Sequence, residues 1–278
     1  MDPIAFHIGP ISVHWYGIFI VSGVLAATIV STIEAKRRGE NPDHVWNGLV
    51  LCLVLGIIGA RLYHVFSTPQ GGSLGWPHYR QHPMDIFKIW EGGLAIYGAV
   101  AGGILGLLIY VRWYRLSFWR WADIGAHGLL LAQAIGRWGN YVNQELYGPP
   151  TTLPWGIHID APHRFGEYLD LNRYPPDTRF HPVFLYESLW NLLGFIVLMY
   201  IARRWRSRLR DGDIFLGYFI WYSSGRFFIE MLRPDAWMLG PLAAAQVFAL
   251  MTIALAVALI MVQHRRAVSP AGQDDTLS

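Results

Sequence analysis

The sequence predicts an all-α integral membrane protein with about seven transmembrane helices. Three observations lead there. Of 278 residues, 53% are hydrophobic and only 15% charged, where a soluble domain carries about a quarter charged residues. Runs of about twenty apolar residues, enough to cross the hydrocarbon core, recur along the chain. Lysine and arginine fall unevenly between the connections those runs leave.

The runs predict spans over about 13–35, 46–67, 93–113, 121–141, 182–202, 213–233 and 242–263. The last, LAAAQVFALMTIALAVALIMV, carries no charge at all. Thirteen Lys and Arg lie in the connections after spans one, three and five and at the C-terminal end, from Lys36 to the cluster between Arg203 and Arg210. Only five (Arg80, Lys88, Arg164, Arg173 and Arg179) lie on the other side. The positive-inside rule puts the richer side in the cytoplasm, so the N-terminus is expected outside and the C-terminus inside. The first run has no positive n-region before it, so it reads as a span and not as a cleavable signal peptide. The pI of about 9.0 follows from the cytoplasmic rim, and no nucleic-acid partner is expected. Cys52, the only cysteine, reads as a packing residue within the second span.

Residues 1–266 are expected to form a single polytopic membrane domain, followed by a disordered cytoplasmic tail at 267–278. Two outer stretches are long enough for structure of their own. Residues 68–91, with Ile86, Phe87, Ile89 and Trp90, read as an arm lying along the membrane interface. Residues 142–181, rich in Pro, Gly and aromatics, read as a small extracytoplasmic cap in which LPWGIHID is a possible strand. There is no internal repeat and no matched pair of broken helices of the kind that marks many transporters.

Charges inside a bilayer cost several kcal/mol unless paired or wet, so each is a functional candidate. Arg61, Arg137, Arg226 and Arg233 remain once the connections are counted, with Glu145, Glu187 and Glu230 as acidic candidates. Spans two, four and six run outward and carry their charges past the midpoint. Spans one, three and five run inward and carry Tyr16, Tyr97 and Glu187 near their starts. All these groups are therefore expected in the outer half. In WYSSGRFFIEMLRPD, Tyr222, Arg226, Glu230 and Arg233 keep the spacing of one helical face, which must look into the bundle. In GRWGNYVNQELYG, Arg137, Asn140 and Gln144 share a side if the helix persists, with Pro149 and Pro150 stopping it beyond Gly148.

Structural readings compete with functional ones. Glu230 and Arg233 can form a purely structural ion pair. Gly98, Gly102 and Gly106 read as helix-packing glycines, not as a phosphate loop. Asp123 reads as a solvated charge or a helix N-terminal one. No HExxH or comparable ligand spacing occurs, so no metal site is expected. Arg137 and Arg226, however, outnumber the carboxylates obviously close to them, and a guanidinium matches phosphate with a planar fork of donors. The residues alone point to an outer-leaflet phosphate site, and the most abundant phosphate there is a phospholipid headgroup.

GRWGNYVNQELYG resembles the signature of the bacterial prolipoprotein diacylglyceryl transferases. HWYG at 14–17, WEGGLAIYGA at 90–99, HPVFLYE at 181–187 and GRFFIEMLRPD at 225–235 resemble that family's other blocks, in the same order. The resemblance implies an enzyme of the bacterial cytoplasmic (inner) membrane, multi-pass in the lipid bilayer. It implies transfer of the diacylglyceryl group from phosphatidylglycerol to the lipobox cysteine of a prolipoprotein signal peptide, with a thioether formed and glycerol phosphate released. No cofactor is implied. Carried over by motif position, Arg137 and Arg226 hold the phosphate and support the leaving group. Asn140, Glu145 and Gly148 shape the headgroup site, and Tyr16, Glu187, Tyr222 and Glu230 line it.

One position departs from the family's best-known form. Many members read His-Gly-Gly where this chain has Tyr97-Gly98-Ala99, and that histidine is cast as the thiol's general base. A tyrosine hydroxyl, ordinarily titrating near pH ~10, is a poor base at neutral pH but a good hydrogen-bond donor. Tyr97 is therefore expected to orient the substrate. A base at Glu145 or Glu230, or a thiol acidified by the arginines alone, are the alternatives. Two other function classes stay open at this point: a transporter of an anionic or lipid substrate, and an intramembrane protease. The outer-half bias argues against the first. The lack of HExxH, GxSG or paired mid-membrane aspartates argues against the second.

Overall fold

The computed structural model describes residues 2–9, 11–67, 75–233 and 237–266. The expected tail at 267–278 and the first part of the arm at 68–74 lie outside those residues. Among the described residues seven long helices dominate: α1 Trp15–Arg37, α2 Asp43–Phe66, α4 Ile96–Trp113, α5 Phe118–Val142, α6 Val183–Arg204, α7 Asp213–Glu230 and α8 Ala244–Arg266, with the short α3 Trp76–Gln81 between α2 and α4. Their ends fall within about three residues of the apolar runs, because those runs are what a helix of this length must present to lipid. Five of them, α1, α2, α4, α6 and α8, are long and apolar enough to cross a membrane. The other two, α5 and α7, carry Asp123, Arg137 and Asn140, and Asp213, Arg226 and Glu230.

The chain divides into two compact units, Ser31–Trp121 and the combination of Met1–Val30 with Ala122–Ser278. In the first, α2 and α4 pack along the glycines. A Cβ on Gly98 would run into the Gly59 carbonyl, one on Gly102 into the Leu55 carbonyl, and one on Gly106 would lie 2.8 Å from Cys52 Cα. Backbones this close interlock by van der Waals contact, which is what associates helices in lipid. These are packing glycines, as the sequence indicates.

The arm is built from α3 and two 3₁₀ turns, Pro83–Phe87 and Ile89–Glu91, and is fastened by Arg61. The buried guanidinium donates to the carbonyls of Ile86 (2.7 Å), Gly92 (2.7 Å), Gly93 (3.1 Å) and Asp85, and stands over the Tyr79 ring. Arg61 is thus held by four carbonyls, a structural use of a charge on an apolar helix. Phe87 and Trp90 stay exposed. Lys88, with His78, holds the Asp85 carboxyl below its ordinary range.

In the second unit, α5, α6 and α7 meet in an apolar core of Ala126, Leu130, Leu198, Ala202, Ile214 and Tyr218. Asp123 is not a solvated charge. It is buried on α5, and its Oδ1 accepts the Phe215 N–H (2.8 Å) in the first turn of α7, where a carboxylate satisfies an orphan donor and the helix dipole together. Helix α8 is fixed to α7 at both ends. Gln246 accepts the Ala243 N–H and donates to the Phe227 carbonyl, and His264 Nε2 lies 2.8 Å from Asp213 Oδ2.

The cap is a miniature core of Tyr147, Ile159, Tyr168 and Phe180. Strands β1 Ile157–His158 and β2 Arg179–Phe180 pair antiparallel beside it, so only two residues of LPWGIHID form a strand. Arg164 is buried under them, donating to the carbonyls of Ile159, Tyr174, Pro175 and Pro176 at 2.7–3.2 Å. An irregular loop has carbonyls without ladder partners, and one guanidinium gathers four of them.

Gly102→Leu is expected to cost ~1–3 kcal/mol through overpacking, read as a lower unfolding midpoint of detergent-solubilised protein. Gly103→Leu, at a position where a Cβ meets nothing within 4 Å, should leave the midpoint in place. Equal effects of the two would refute the packing account.

Candidate functional site

Helix α7 presents Tyr222, Arg226 and Glu230 at four-residue intervals on one face, α6 presents Glu187, and α5 presents Arg137 and Asn140. Glu187 joins the three helices. One carboxylate oxygen pairs with Arg137 Nε, and the other lies 3.5 Å from Arg226 Nη1. Arg226 Nη2 also pairs with Glu230 Oε2 at 2.5 Å. On the far side, Arg137 Nη1 approaches Asn140 Oδ1 at 3.4 Å, and Asn140 Nδ2 donates to Glu145 Oε1 at 2.8 Å. A single alternating string therefore runs Glu230–Arg226–Glu187–Arg137–Asn140–Glu145.

This corrects one expectation. The two guanidiniums do not outnumber nearby carboxylates, because Glu187 and Glu230 balance them directly. Glu230 pairs with Arg226, which lies one full turn away on the same face of α7, and its carbonyl accepts the Arg233 N–H.

A clasp of two tryptophans sets the spacing of α6 and α7. Trp190 Nε1 donates to the Trp221 carbonyl (3.0 Å) and Trp221 Nε1 to the Trp190 carbonyl (2.9 Å), with the rings stacked 4.8 Å apart. Gly225 admits the Trp190 indole, since a Cβ there would collide with it. The adjacent Arg226 is thereby held against Glu187. Arg137, Glu187, Trp190, Asn191, Tyr222 and Arg226 line a narrow cleft of about 10 Å³, about the room of one water.

Helix α5 does not persist to Gln144. It ends at Val142, because the Glu145 N–H bonds back to the Asn140 carbonyl and the Gln144 N–H to the Tyr141 carbonyl, the paired bonds of a Schellman motif. Gln144 occupies the left-handed position (φ 52°), and Leu146 is left-handed too (φ 55°), each costing ~1 kcal/mol or more in a residue other than glycine. Gln144 therefore turns away from Arg137 to the cap. Its Nε2 donates to Asp160 Oδ2 (2.5 Å), and its Oε1 accepts the Asp160 N–H (2.6 Å). The turn points Glu145 back at Asn140.

The expected site residues thus divide. Arg137, Asn140, Glu145, Glu187, Tyr222, Arg226 and Glu230 come together. Tyr16 packs its ring edge against Gly139, one residue from Asn140. Gly148 lies at the base of the cap, its N–H donating to the His181 carbonyl (2.9 Å), where a Cβ would crowd His181, Val183 and Leu232. Tyr97 belongs to the other unit, exposed in the first turn of α4 with its ring 5.8 Å from that of Tyr63. The sequence reading passes over Trp190, Asn191 and Asp160. Asn191 was findable, one helical turn from Glu187 on the same face.

The Gln144 carboxamide holds the Asp160 carboxyl below its ordinary range. A lowered native value contributes stability that is full above the unfolded pKa near ~3.9 and lost as pH falls through the native value. Hydrogen-exchange protection of the cap is expected to be flat from neutral pH to about 4 and to decline below it. Asp160→Asn should flatten that acid decline. An unchanged decline in the variant would remove Asp160 as its source.

The family model described as prolipoprotein diacylglyceryl transferase matches residues 3–262. A Chloroflexus aggregans protein named phosphatidylglycerol–prolipoprotein diacylglyceryl transferase is 44% identical over 92% of this chain and 87% of its own length. A Listeria innocua protein of the same name is 41% identical over 100% and 95% respectively, and a Nostoc one is 44% identical over 92% and 87%. The chain belongs to the prolipoprotein diacylglyceryl transferase family.

Proposed function

We propose that this protein transfers the diacylglyceryl group of phosphatidylglycerol to the lipobox cysteine of prolipoprotein signal peptides. The supporting observation is the pair of guanidiniums held on either side of Glu187 beside an interior cleft. The thiolate attacks the glyceryl carbon, a C–S bond forms, and the C–O bond to phosphate breaks with its electron pair leaving on oxygen. The lipid phosphate is a diester carrying one negative charge, and the departing glycerol phosphate gains a second. Donors aimed at that developing charge in a water-poor site are where rate enhancement is largest. A guanidinium has five N–H donors, and the contacts to Glu187, Glu230 and Asn140 leave some on each arginine for a phosphate.

Asn140 and Glu145 arrange the headgroup side with Gly148, whose missing side chain lets His181, Val183 and Leu232 close against the chain, and Tyr16 and Tyr222 line the site. Tyr97 orients the thiol through its hydroxyl. The protein works as one polytopic domain of the bacterial inner membrane, with seven spans, its N-terminus outside and its site in the outer half. The uneven distribution of Lys and Arg supports that orientation.

The test is mass spectrometry of a lipobox peptide incubated with purified protein and phosphatidylglycerol. Arg137→Ala and Arg226→Ala are each expected to lower transfer by about 10²–10³-fold. Arg137→Lys should not restore it, since an ammonium lacks the planar fork. Undiminished transfer in both alanine variants would remove the phosphate clamp.

Tyr97→Phe is expected to lower kcat about tenfold, within the range of a lost positioning group, and to leave the pH profile in place. Full activity would show the hydroxyl to be dispensable, and a displaced pH profile would return the residue to the role of base.

A further inference from the structure

The cleft contains one polar side chain that the proposed chemistry does not use. Asn191 is only 3% exposed and lines the cleft beside Arg137, Tyr222 and Gly225. Its carboxamide makes no hydrogen bond among the described residues. Other uncharged polar side chains of the same bundle each make at least one hydrogen bond: Ser188 donates to the Ala134 carbonyl, Gln133 to the Tyr218 hydroxyl (its own Oε1 accepting none) and Gln246 to the Phe227 carbonyl. A buried carboxamide with two donors and an acceptor left unpaired is costly unless something else pairs with it.

Position indicates what that is. Asn191 follows Glu187 by one helical turn, which places it about 6 Å further along α6 on the same face. If a phosphate sits at Arg137 and Arg226, Asn191 lies one step deeper, toward the acyl chains. The next polar groups of a diacylglycerophospholipid in that direction are its two ester carbonyls. They are acceptors only, so the matching group on the protein is an N–H donor, which a carboxamide supplies.

We infer that Asn191 is a lipid-contacting, specificity-determining residue whose side-chain N–H donates to an ester carbonyl of the diacylglyceryl group. It makes the protein prefer ester-linked over ether-linked glycerophospholipid. This rests on the transferase reading above.

The experiment compares dipalmitoyl phosphatidylglycerol with its dialkyl ether analogue, using purified full-length protein and a lipobox peptide, with products resolved by mass. Both lipids carry the same phosphate, and the ester's inductive effect on the reacting carbon is common to wild type and variants, so the change in the ester-to-ether ratio on substitution reports the carbonyl contact. Wild type is expected to prefer the ester lipid about five- to tenfold in kcat/KM, the effect of one hydrogen bond. Asn191→Leu, of similar shape without donors, should lose that factor on the ester lipid alone and bring the ratio near one. Asn191→Asp, which keeps the shape but offers acceptors only, should lose it as well.

Three outcomes overturn the inference. They are equal use of both lipids by wild type, an ester preference surviving in both variants, and a parallel loss on both lipids with the ratio kept. The last is what a carboxamide serving only a trapped water would give. Because the wild-type ratio is itself decisive, a variant that fails to fold does not shield the idea. Wild-type protein that transfers from neither lipid would instead overturn the transferase reading, and this inference with it.

Discussion

The bridging carboxylate of Glu187 is the constraint on which the site and its surroundings depend. Two guanidiniums facing one interior cleft repel each other strongly at low dielectric. A carboxylate between them turns that repulsion into two attractions, but only if α6 is held between α5 and α7 at a fixed distance. The neighbouring contacts do this. Ser188, next to Glu187, bonds to the α5 backbone, and the reciprocal Trp190–Trp221 clasp fixes α6 to α7 over Gly225. Buried ion pairs of this kind are poor sources of stability, since desolvation offsets most of the Coulombic gain. An apolar triad would serve a merely structural bundle as well or better. The charges therefore point to function.

The cap extends the same logic. Glu145 reaches Asn140 only because α5 ends at Val142 and the chain turns through two left-handed non-glycine residues. That strain is tolerated because the Gln144–Asp160 pair over-determines the turn, and Asp160 stands on a miniature core locked by Arg164. A substitution in the cap thus reaches the arginines through a defined route: Asp160, Gln144, the α5 terminus, then Asn140.

Much of this was legible in the sequence, and the remainder was not for definable reasons. Helix positions follow from apolar length, which is a local property, so the runs and the helices coincide closely. The glycine stripe of α4 and the polar face of α7 follow from helical periodicity alone. The end of α5 does not. Its Schellman turn lacks the usual glycine, and the pairing that supports it spans sixteen residues of irregular backbone. The charge balance was misread because Glu187 sits on a different helix from both arginines, and side-chain partners across helices leave no periodic trace. Asp123 failed similarly: its partner is a backbone N–H some ninety residues away.

Under the proposed phosphate clamp, a neutral cluster shapes how the phosphate would be treated through the reaction. With Glu187 and Glu230 balancing Arg137 and Arg226, a phosphodiester monoanion bound there would meet no net positive charge, so its ground-state attraction would be modest. What it offers is fixed N–H direction, since each guanidinium is already oriented by a carboxylate and need not reorganise. As the C–O bond breaks, the second negative charge appears on the leaving phosphate, and preorganised donors interact with it more strongly than with the lipid. Only an interaction that strengthens along the reaction accelerates it. The carboxylates that appear to compete with the phosphate are, on this argument, what keeps the arginines from holding the lipid too tightly before it reacts.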